Sequence, residues 1–274
     1  AKKLSVKAAF PWMYELEAKY GGLVKGMIGR MKAAKAAKKA NPELASKPRK
    51  KRSKDSSKLV SSGKGLQGLV SALAESCDGV DFHYNCAVEK IEKTGNTYKL
   101  YTPKGEFTAD KLVSCCNAHD ASKLFETLDG ELGDAFAKVQ FAPIFICGMG
   151  FDRKDVGHPL DGFGYLVAPK EGGSVLGTLF SSTLYSGRAP EGKVLLTAIT
   201  VGDRGENRKL FAEDDASLEK MAFDKIKGVL SAKKEPEITL SFRTEHAIPQ
   251  YYIGHTEIVE TIRRRAGALG GLYI

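Results

Sequence analysis

The spacing with the most chemical content is Gly63-x-Gly65-x-x-Gly68, in the stretch "SSGKGLQGLVSALAES". Glycines so placed let a backbone approach a pyrophosphate while the helix that follows turns its N-terminus toward the anion. A working dinucleotide site also needs a buried strand running into the first glycine and an acidic residue about 20 positions later. Both contexts fail. The residues before Gly63, "SKDSSKLVSS", offer only Leu59 and Val60 as apolar side chains, and the next strand candidate, "VDFHYN", ends in Asn85. The stretch reads as a glycine turn entering a helix.

Other constellations are no more explicit. The histidines (His83, His119, His158, His246 and His255) include no i,i+4 pair and have no acidic ligand at metal spacing. There is no G-x-S-x-G nucleophile elbow. His255, after the glycine of "IPQYYIGH", reads as structural. The five cysteines, Cys77, Cys86, Cys115, Cys116 and Cys147, contain no C-x-x-C pair, so neither zinc nor a dithiol site is indicated. They read as small apolar core residues in a reducing compartment.

The elements that would position a site follow from periodicity. Phe10 to about Ala40 reads as one helix, with Pro11 in its first turn and Met13, Leu16, Tyr20, Leu23, Met27 and Met31 at three- or four-residue steps. Leu66–Ala74 is a short helix, and Val80, Phe82 and Tyr84 alternate as in a half-buried strand. Strands follow at Ala87–Glu92 and Thr97–Thr102. A turn at "PKGE" leads into Phe107, and "KLVSCC" reads as a buried strand. After a helix at Ala121–Leu128 the chain becomes β-rich: Ile144–Phe151, Tyr165–Val167, Val175–Phe180 and Val194–Val201. A long helix at Asp215–Leu230 and a strand at Ile238–Arg243 complete the pattern. The mixture predicts an α/β or α+β protein with interleaved domains.

The 274 residues, 42% of them apolar, suffice for one large domain or two modest ones. No apolar run approaches the roughly 20 residues that span a bilayer, and no signal peptide is apparent. A soluble chain of the cytoplasm is the expectation. The net charge of +9 concentrates between Lys25 and Lys58, densest in "KPRKKRSKDSSK". Such a run suits nucleic acid or an anionic membrane. Without interleaved aromatics it reads better as a solvated loop, and nucleic acid is the disfavoured partner.

Several stretches in order resemble one family. "AAFPWMYELEAKYGGLVKGM", "SGKGLQGLVSALAES", "DGFGYLVAPKE", "VLGTLFSSTLYSGRAPEGKVLLTAIT" and "HAIPQYYIGHTEIVETI" are similar to segments of the protoporphyrinogen oxidases, over nearly the whole chain. The resemblance implies a partial FAD/NAD(P)-binding, amine-oxidase-like fold with an interleaved substrate domain and an N-terminal helical membrane-associated segment. It implies four portions: 1–58, the helical segment and basic linker; 59–118, part of the FAD-binding domain; 119–246, the substrate-binding domain; and 247–274, a return to the FAD-binding domain.

The implied activity is oxidation of protoporphyrinogen IX to protoporphyrin IX by hydride transfer to FAD, with oxygen or another acceptor regenerating the flavin. The cofactor carries the chemistry and the protein positions a large flat substrate. By position, Phe163, Gly164, Leu166, Leu179 and Ile199 would contact the porphyrinogen, with Gly164 letting backbone come close to it, and Val88 would meet the adenine of FAD. A membrane surface on the inner face, a ferrochelatase and a second copy of the chain are the partners this reading admits. The family's opening glycine fingerprint and closing flavin helix have no counterpart here, so the resemblance implies an internal portion of the enzyme, inactive alone and holding FAD weakly. Alternatives are a coproporphyrinogen III oxidase, a carotenoid desaturase of the same superfamily, or, in another class, a non-catalytic basic module for nucleic acid or anionic lipid.

Overall fold

From Phe145 on, the stretch "FAPIFICGMGFD" places an aromatic, thiol or thioether side chain at every second position, and that alternation organises the larger sheet. In the computed structural model, which describes residues 3–40, 60–63, 65–171, 173, 175–200 and 211–274, this stretch is strand β5, Phe141–Asp152. It is the fourth strand of a five-stranded antiparallel sheet ordered β6-β7-β8-β5-β9. The others are β6 (Gly164–Leu166), β7 (Val175–Leu179), β8 (Lys193–Thr200) and β9 (Ile238–Pro249). Phe145, Cys147, Met149 and Phe151 of β5 are at most 1% exposed. They pack with Val194, Leu196 and Ala198 of β8 and with helix α8, Asp215–Leu230.

Helix α8 forms where the sequence supplies both a cap and a stripe. Asp214 accepts a hydrogen bond from the Ser217 N–H at 2.7 Å, as an N-cap should. Leu218, Ala222, Ile226 and Leu230 recur at i+4 and are all buried. Arg243 and Ser241 of β9 tie back to the helix through Asp215 and Glu219, at 2.8 and 2.6 Å.

The chain divides into two units. This sheet, α8 and residues 61–80 form one; residues 1–60, 81–139 and 250–274 form the other. Residues 119–139 thus group with the second unit, while the rest of the 119–246 portion read from the sequence groups with the first. In that second unit, strands β1 (Lys90–Thr94), β2 (Thr97–Thr102) and β3 (Gly105–Ala109) make an antiparallel meander. Strands β4 (Leu112–Val113) and β10 (Leu272–Tyr273) pair in parallel. Ile91, Tyr98, Phe125, Leu132, Phe136, Ile262, Ala266 and Leu272 form the core between the meander and helices α5 (Ala118–Glu126), α6 (Gly130–Ala137) and α9 (His255–Leu269). Tyr98, fully buried, donates to the Gly270 carbonyl at 2.6 Å.

Several expected elements differ. The N-terminal helix is broken: α1 (Val6–Ala9) precedes α2 (Pro11–Tyr20) and α3 (Leu23–Ala40), and Gly21, at φ 72°, ends α2 in the left-handed conformation that glycine tolerates best. "VDFHYN" forms no strand. Val80, Phe82 and Tyr84 are 46–67% exposed, without a ladder to complete their backbone. Only Leu112 and Val113 of "KLVSCC" pair, and the cysteine expectation holds for Cys147 alone, since Cys77, Cys115 and Cys116 are exposed. The basic run 47–58 and Val201 lie outside the described residues. Among the described residues no helix is long and apolar enough to cross a membrane.

The second unit is pinned by a charge pair. Asp129, 9% exposed, caps α6 through the Leu132 N–H at 2.9 Å and accepts from Arg265 Nε at 3.0 Å. The Arg265 hydrogen bond, opposed by burial, holds the Asp129 carboxyl below its ordinary value. A carboxyl whose folded pKa is depressed stabilises above its unfolded pKa, and that stability is lost as pH falls through the folded value. Asp129→Asn is therefore expected to unfold at lower denaturant than the wild type at pH 7. The gap should close as the pH drops below the ordinary 3.8; urea melts across pH 3 to 7 check this.

Candidate functional site

Burying the odd residues of β5 turns the even ones to the opposite face, which α8 does not cover. Register fills in that face row by row. Ile146 lies between Ile199 of β8 and Phe242 of β9; Gly148 lies between Thr197 and Leu240; Gly150 lies between Leu195 and Ile238. On the far side Leu179 pairs with Thr197, Gly177 with Ile199, Gly164 with Leu179 and Leu166 with Gly177. The result is an apolar face that opens to solvent mainly at its edges. Leu166 is 88% exposed at one edge and Ile238, Leu240 and Phe242 are 65–77% exposed at the other, while Leu179, Leu195 and Ile199 between them are half-buried. Isolated exposed apolar side chains are ordinary, but several gathered on one sheet face make that face a candidate binding surface.

Its polar groups are few. Thr197 and Ser181 share a hydrogen bond at 2.7 Å between their hydroxyls. At one end Lys193 is held by Glu237 at 2.7 Å and by Asp152 at 3.6 Å, and Lys154 also meets Asp152. These cations are neutralised where they stand.

Glycine plays two different parts here. A Cβ on Gly164, whose φ is +145°, would lie 2.2 Å from the Thr178 carbonyl oxygen, and one on Gly177 would lie 2.4 Å from that of Tyr165. The close approach at Gly164 is therefore made by the neighbouring strand of its own sheet, which suffices to explain the glycine. Gly148 is different. A Cβ there would meet nothing nearer than Leu240 O at 3.7 Å and Leu195 Cδ1 at 3.8 Å. The chain's own packing does not require glycine at 148, and its absent side chain leaves a shallow trough between Leu195, Thr197 and Leu240.

Of the residues named from the sequence, Gly164, Leu166, Leu179 and Ile199 share this face. Phe163 stands one residue before β6, 52% exposed, with its carbonyl accepting from the Phe180 N–H. The sequence reasoning passed over Ile146, Gly148, Leu195, Thr197, Leu240 and Phe242. The period of two in "FICGMGF" and "ITLSF" carried the signal.

Val88 belongs to the other unit. It lines a cleft of about 380 Å³ together with Leu112, Val113, Ser114, Cys115 and Cys116, at the carboxyl end of parallel strand β4. Ligands of open parallel sheets bind in that position. The opening glycines take no part in it. Gly65, at φ +76°, has Arg188 Nη1 3.2 Å from where its Cβ would be, and Arg188 in turn stacks on Tyr185 and reaches Ser61 Oγ at 3.4 Å. Among the described residues no strand runs into Gly63. His255 packs edge-on against Tyr251, and burial pushes its imidazole below the ordinary value; it acts as a structural residue opening α9.

Comparison with known proteins bears on both features. The family model of the flavin containing amine oxidoreductases matches residues 1–268. The mitochondrial protoporphyrinogen oxidase of Nicotiana tabacum is 26% identical over 98% of this chain and 56% of its own length. Coproporphyrinogen III oxidase of Bacillus subtilis is 23% identical over 99% of this chain and 55% of its own. The chain thus spans about half the length of the curated relatives it matches. A crystal structure of an Exiguobacterium sp. 255-15 protein, assigned to the protoporphyrinogen oxidases, superposes with a TM-score of 0.72 at 20% identity, covering 99% of this chain and 54% of that one. At that identity the likeness is one of fold.

The two kinds of glycine separate experimentally. Gly164→Ala is expected to lose at least about 1 kcal/mol of stability, from a disallowed φ and a backbone clash, whereas Gly148→Ala should stay within about 0.5 kcal/mol of wild type. Chemical denaturation of the two variants side by side is the check.

Proposed function

The chain belongs to the flavin containing amine oxidoreductases, and we propose that it contributes the substrate-facing sheet and part of the FAD-binding unit of a porphyrinogen oxidase. The observation that carries this reading is the uncovered apolar face with its Gly148 trough. A macrocycle needs broad apolar contact with few polar anchors, and this face offers that contact on five strands. Relatives named for both protoporphyrinogen and coproporphyrinogen oxidation support the reaction class.

FAD is the cofactor the family implies. The cleft bordered by Val88, Leu112 and Ser114 fits its adenosine end in kind: apolar walls, and irregular backbone at the carboxyl end of a parallel strand. When bound there, FAD would supply a hydride acceptor for a ring carbon of the substrate. The residues of the sheet then have three tasks. Leu166, Leu179, Ile199 and Phe242 remove the ring from water, the trough at Gly148 gives it room to lie flat, and the Thr197–Ser181 hydroxyl pair supplies a polar contact. No acid or base on this face is asked to move a proton.

Between the two porphyrinogens, the face favours the less carboxylated one. Among the described residues Lys193, at one end of the face, already answers Glu237 and Asp152, so a carboxylate added there would give up water without gaining a free partner. This supports protoporphyrinogen over coproporphyrinogen.

A second reading concerns helices α2 and α3. Trp12, Val24, Met27 and Met31 are 52–72% exposed, and Trp12, Leu16, Met27 and Met31 border a groove of about 350 Å³. Lys25, Arg30, Lys32, Lys35 and Lys39 share α3. Apolar side chains with a basic flank suit an anionic membrane surface.

Two measurements test these proposals. In fluorescence titrations the chain should bind protoporphyrin IX more tightly than coproporphyrin III. Gly148→Leu, which fills the trough, should weaken protoporphyrin binding at least about tenfold, or roughly 1.4 kcal/mol, at unchanged fold. Equal affinity for wild type and Gly148→Leu would sink the face as the substrate surface, and a preference for coproporphyrin would sink the choice of substrate. In flotation with phosphatidylserine vesicles, Trp12→Ala/Met27→Ala should lose about half or more of the bound fraction; no change would remove these helices from any membrane role.

A further inference from the structure

Cys115 and Cys116 are adjacent in sequence, both exposed, both free, and both part of the wall of the Val88 cleft. They follow β4 after Ser114 and precede Asn117, the N-cap of α5. The backbone around them is held at either side. The Ser114 N–H donates to the Tyr273 carbonyl at 2.9 Å, and the Asn117 carbonyl accepts from Ala121 at 2.9 Å. The Cys115–Cys116 peptide itself belongs to neither ladder nor helix. It is the one place among the described residues where two thiols are within reach through a single peptide bond and open to solvent.

The chain's other three thiols provide the contrast, and Cys86 among them is half-buried and without a neighbouring cysteine in sequence. Cys147 is buried in the sheet core, and burial pushes its pKa up to about 12, which removes the thiolate that reacts. Cys77, though exposed, is alone at the end of helix α4 (Leu66–Glu75), its thiol donating to the Leu73 carbonyl at 3.2 Å.

We propose that Cys115 and Cys116 form a modification site that a small hydroperoxide oxidises to a vicinal disulfide on the wall of the cleft. One thiolate attacks the peroxide: a sulfur–oxygen bond forms, the oxygen–oxygen bond breaks, and one water (or alcohol) leaves. The neighbouring thiol then displaces the sulfenic oxygen as a second water, and the sulfur–sulfur bond closes. The two thiols give up two electrons, the hydroperoxide takes them, and both thiol protons end in the released oxygen species. Cα atoms joined by one peptide are about 3.8 Å apart, shorter than the usual 4.4–6.8 Å of a disulfide. The ring is strained and easily reduced, which suits a reversible modification better than a structural bridge. Because both side chains border the cleft, its wall differs between the two states.

The test treats the 274-residue chain with one equivalent of hydrogen peroxide, alkylates free thiols and digests with trypsin. Cleavage after Lys111 and Lys123 puts both cysteines on one fragment, whereas Cys77 and Cys86 share the fragment from Gly65 to Lys90. The first fragment should appear lighter by two hydrogens and unalkylated, regaining two alkylatable thiols after dithiothreitol; the second should be alkylated twice. Cys116→Ser should stop at a sulfenic acid on Cys115, trapped by dimedone. Retention of both thiols on the first fragment, earlier loss of Cys77, disulfide-linked dimers, or direct passage to sulfinic acid would each overturn the proposal.

Discussion

The period of two in strand β5 is the constraint on which the rest of the larger unit depends. Successive side chains of a strand point to opposite faces, so burying Phe145, Cys147, Met149 and Phe151 beneath α8 forces Ile146, Gly148 and Gly150 outward. A slip of one residue against β8 or β9 would put glycines into the core and four large side chains into water. Register is therefore not negotiable, and the composition of the opposite face follows from it. That face repeats the logic on each neighbour: Val194, Leu196 and Ala198 go in while Leu195, Thr197 and Ile199 go out, and Thr239, Ser241 and Arg243 turn to the helix while Ile238, Leu240 and Phe242 do not.

What separates the two faces is their cover. The helix side is closed by an i+4 stripe of aliphatic side chains and by polar ties from β9 to Asp215 and Glu219. The other side is as apolar but flatter, because glycine stands at 148, 150, 164 and 177. Two of these, Gly164 and Gly177, are demanded by the backbones of β6 and β7 where they cross. Gly148 is under no such demand. It is this glycine, kept where the chain's own packing would accept alanine, on which the proposal of a flat ligand rests.

Much of this was legible beforehand, and the misses have physical causes. The strands of the larger sheet and helix α8 are legible because their burial is one-sided and periodic, although β9 runs six residues past the expected Arg243, to Pro249, and β5 starts at Phe141 rather than Ile144. The segment "VDFHYN" has the same alternation but no partner strand among the described residues, and periodicity cannot report pairing. The N-terminal helix was drawn too long because its apolar spacing runs through Gly21 and Gly22, where backbone freedom, not hydrophobicity, decides. Cys115 and Cys116 read as core because thiols usually are; their exposure follows from β4 ending after two residues. Gly164, Leu166, Leu179 and Ile199 do share a face, yet they were named through likeness to a family. Gly148 and Leu240 were within reach of strand alternation alone.

The size of the apolar face sets what it can do by itself. Covering one side of a macrocycle would bury on the order of 200 Å² of apolar surface, worth about 5 kcal/mol at 25 cal/mol per Å². That corresponds to a dissociation constant of a few tenths of a millimolar before the cost of lost motion. Such a surface gathers a substrate and excludes water from one side of it, but does not fix which ring carbon faces a hydride acceptor. Orientation requires directional contacts, and the Thr197–Ser181 pair is too small a handle to select one edge of a near-symmetric ring. On the proposed reading the sheet would supply affinity without direction, and the direction of any hydride transfer would have to be set by groups that meet the ring from its other side or its rim.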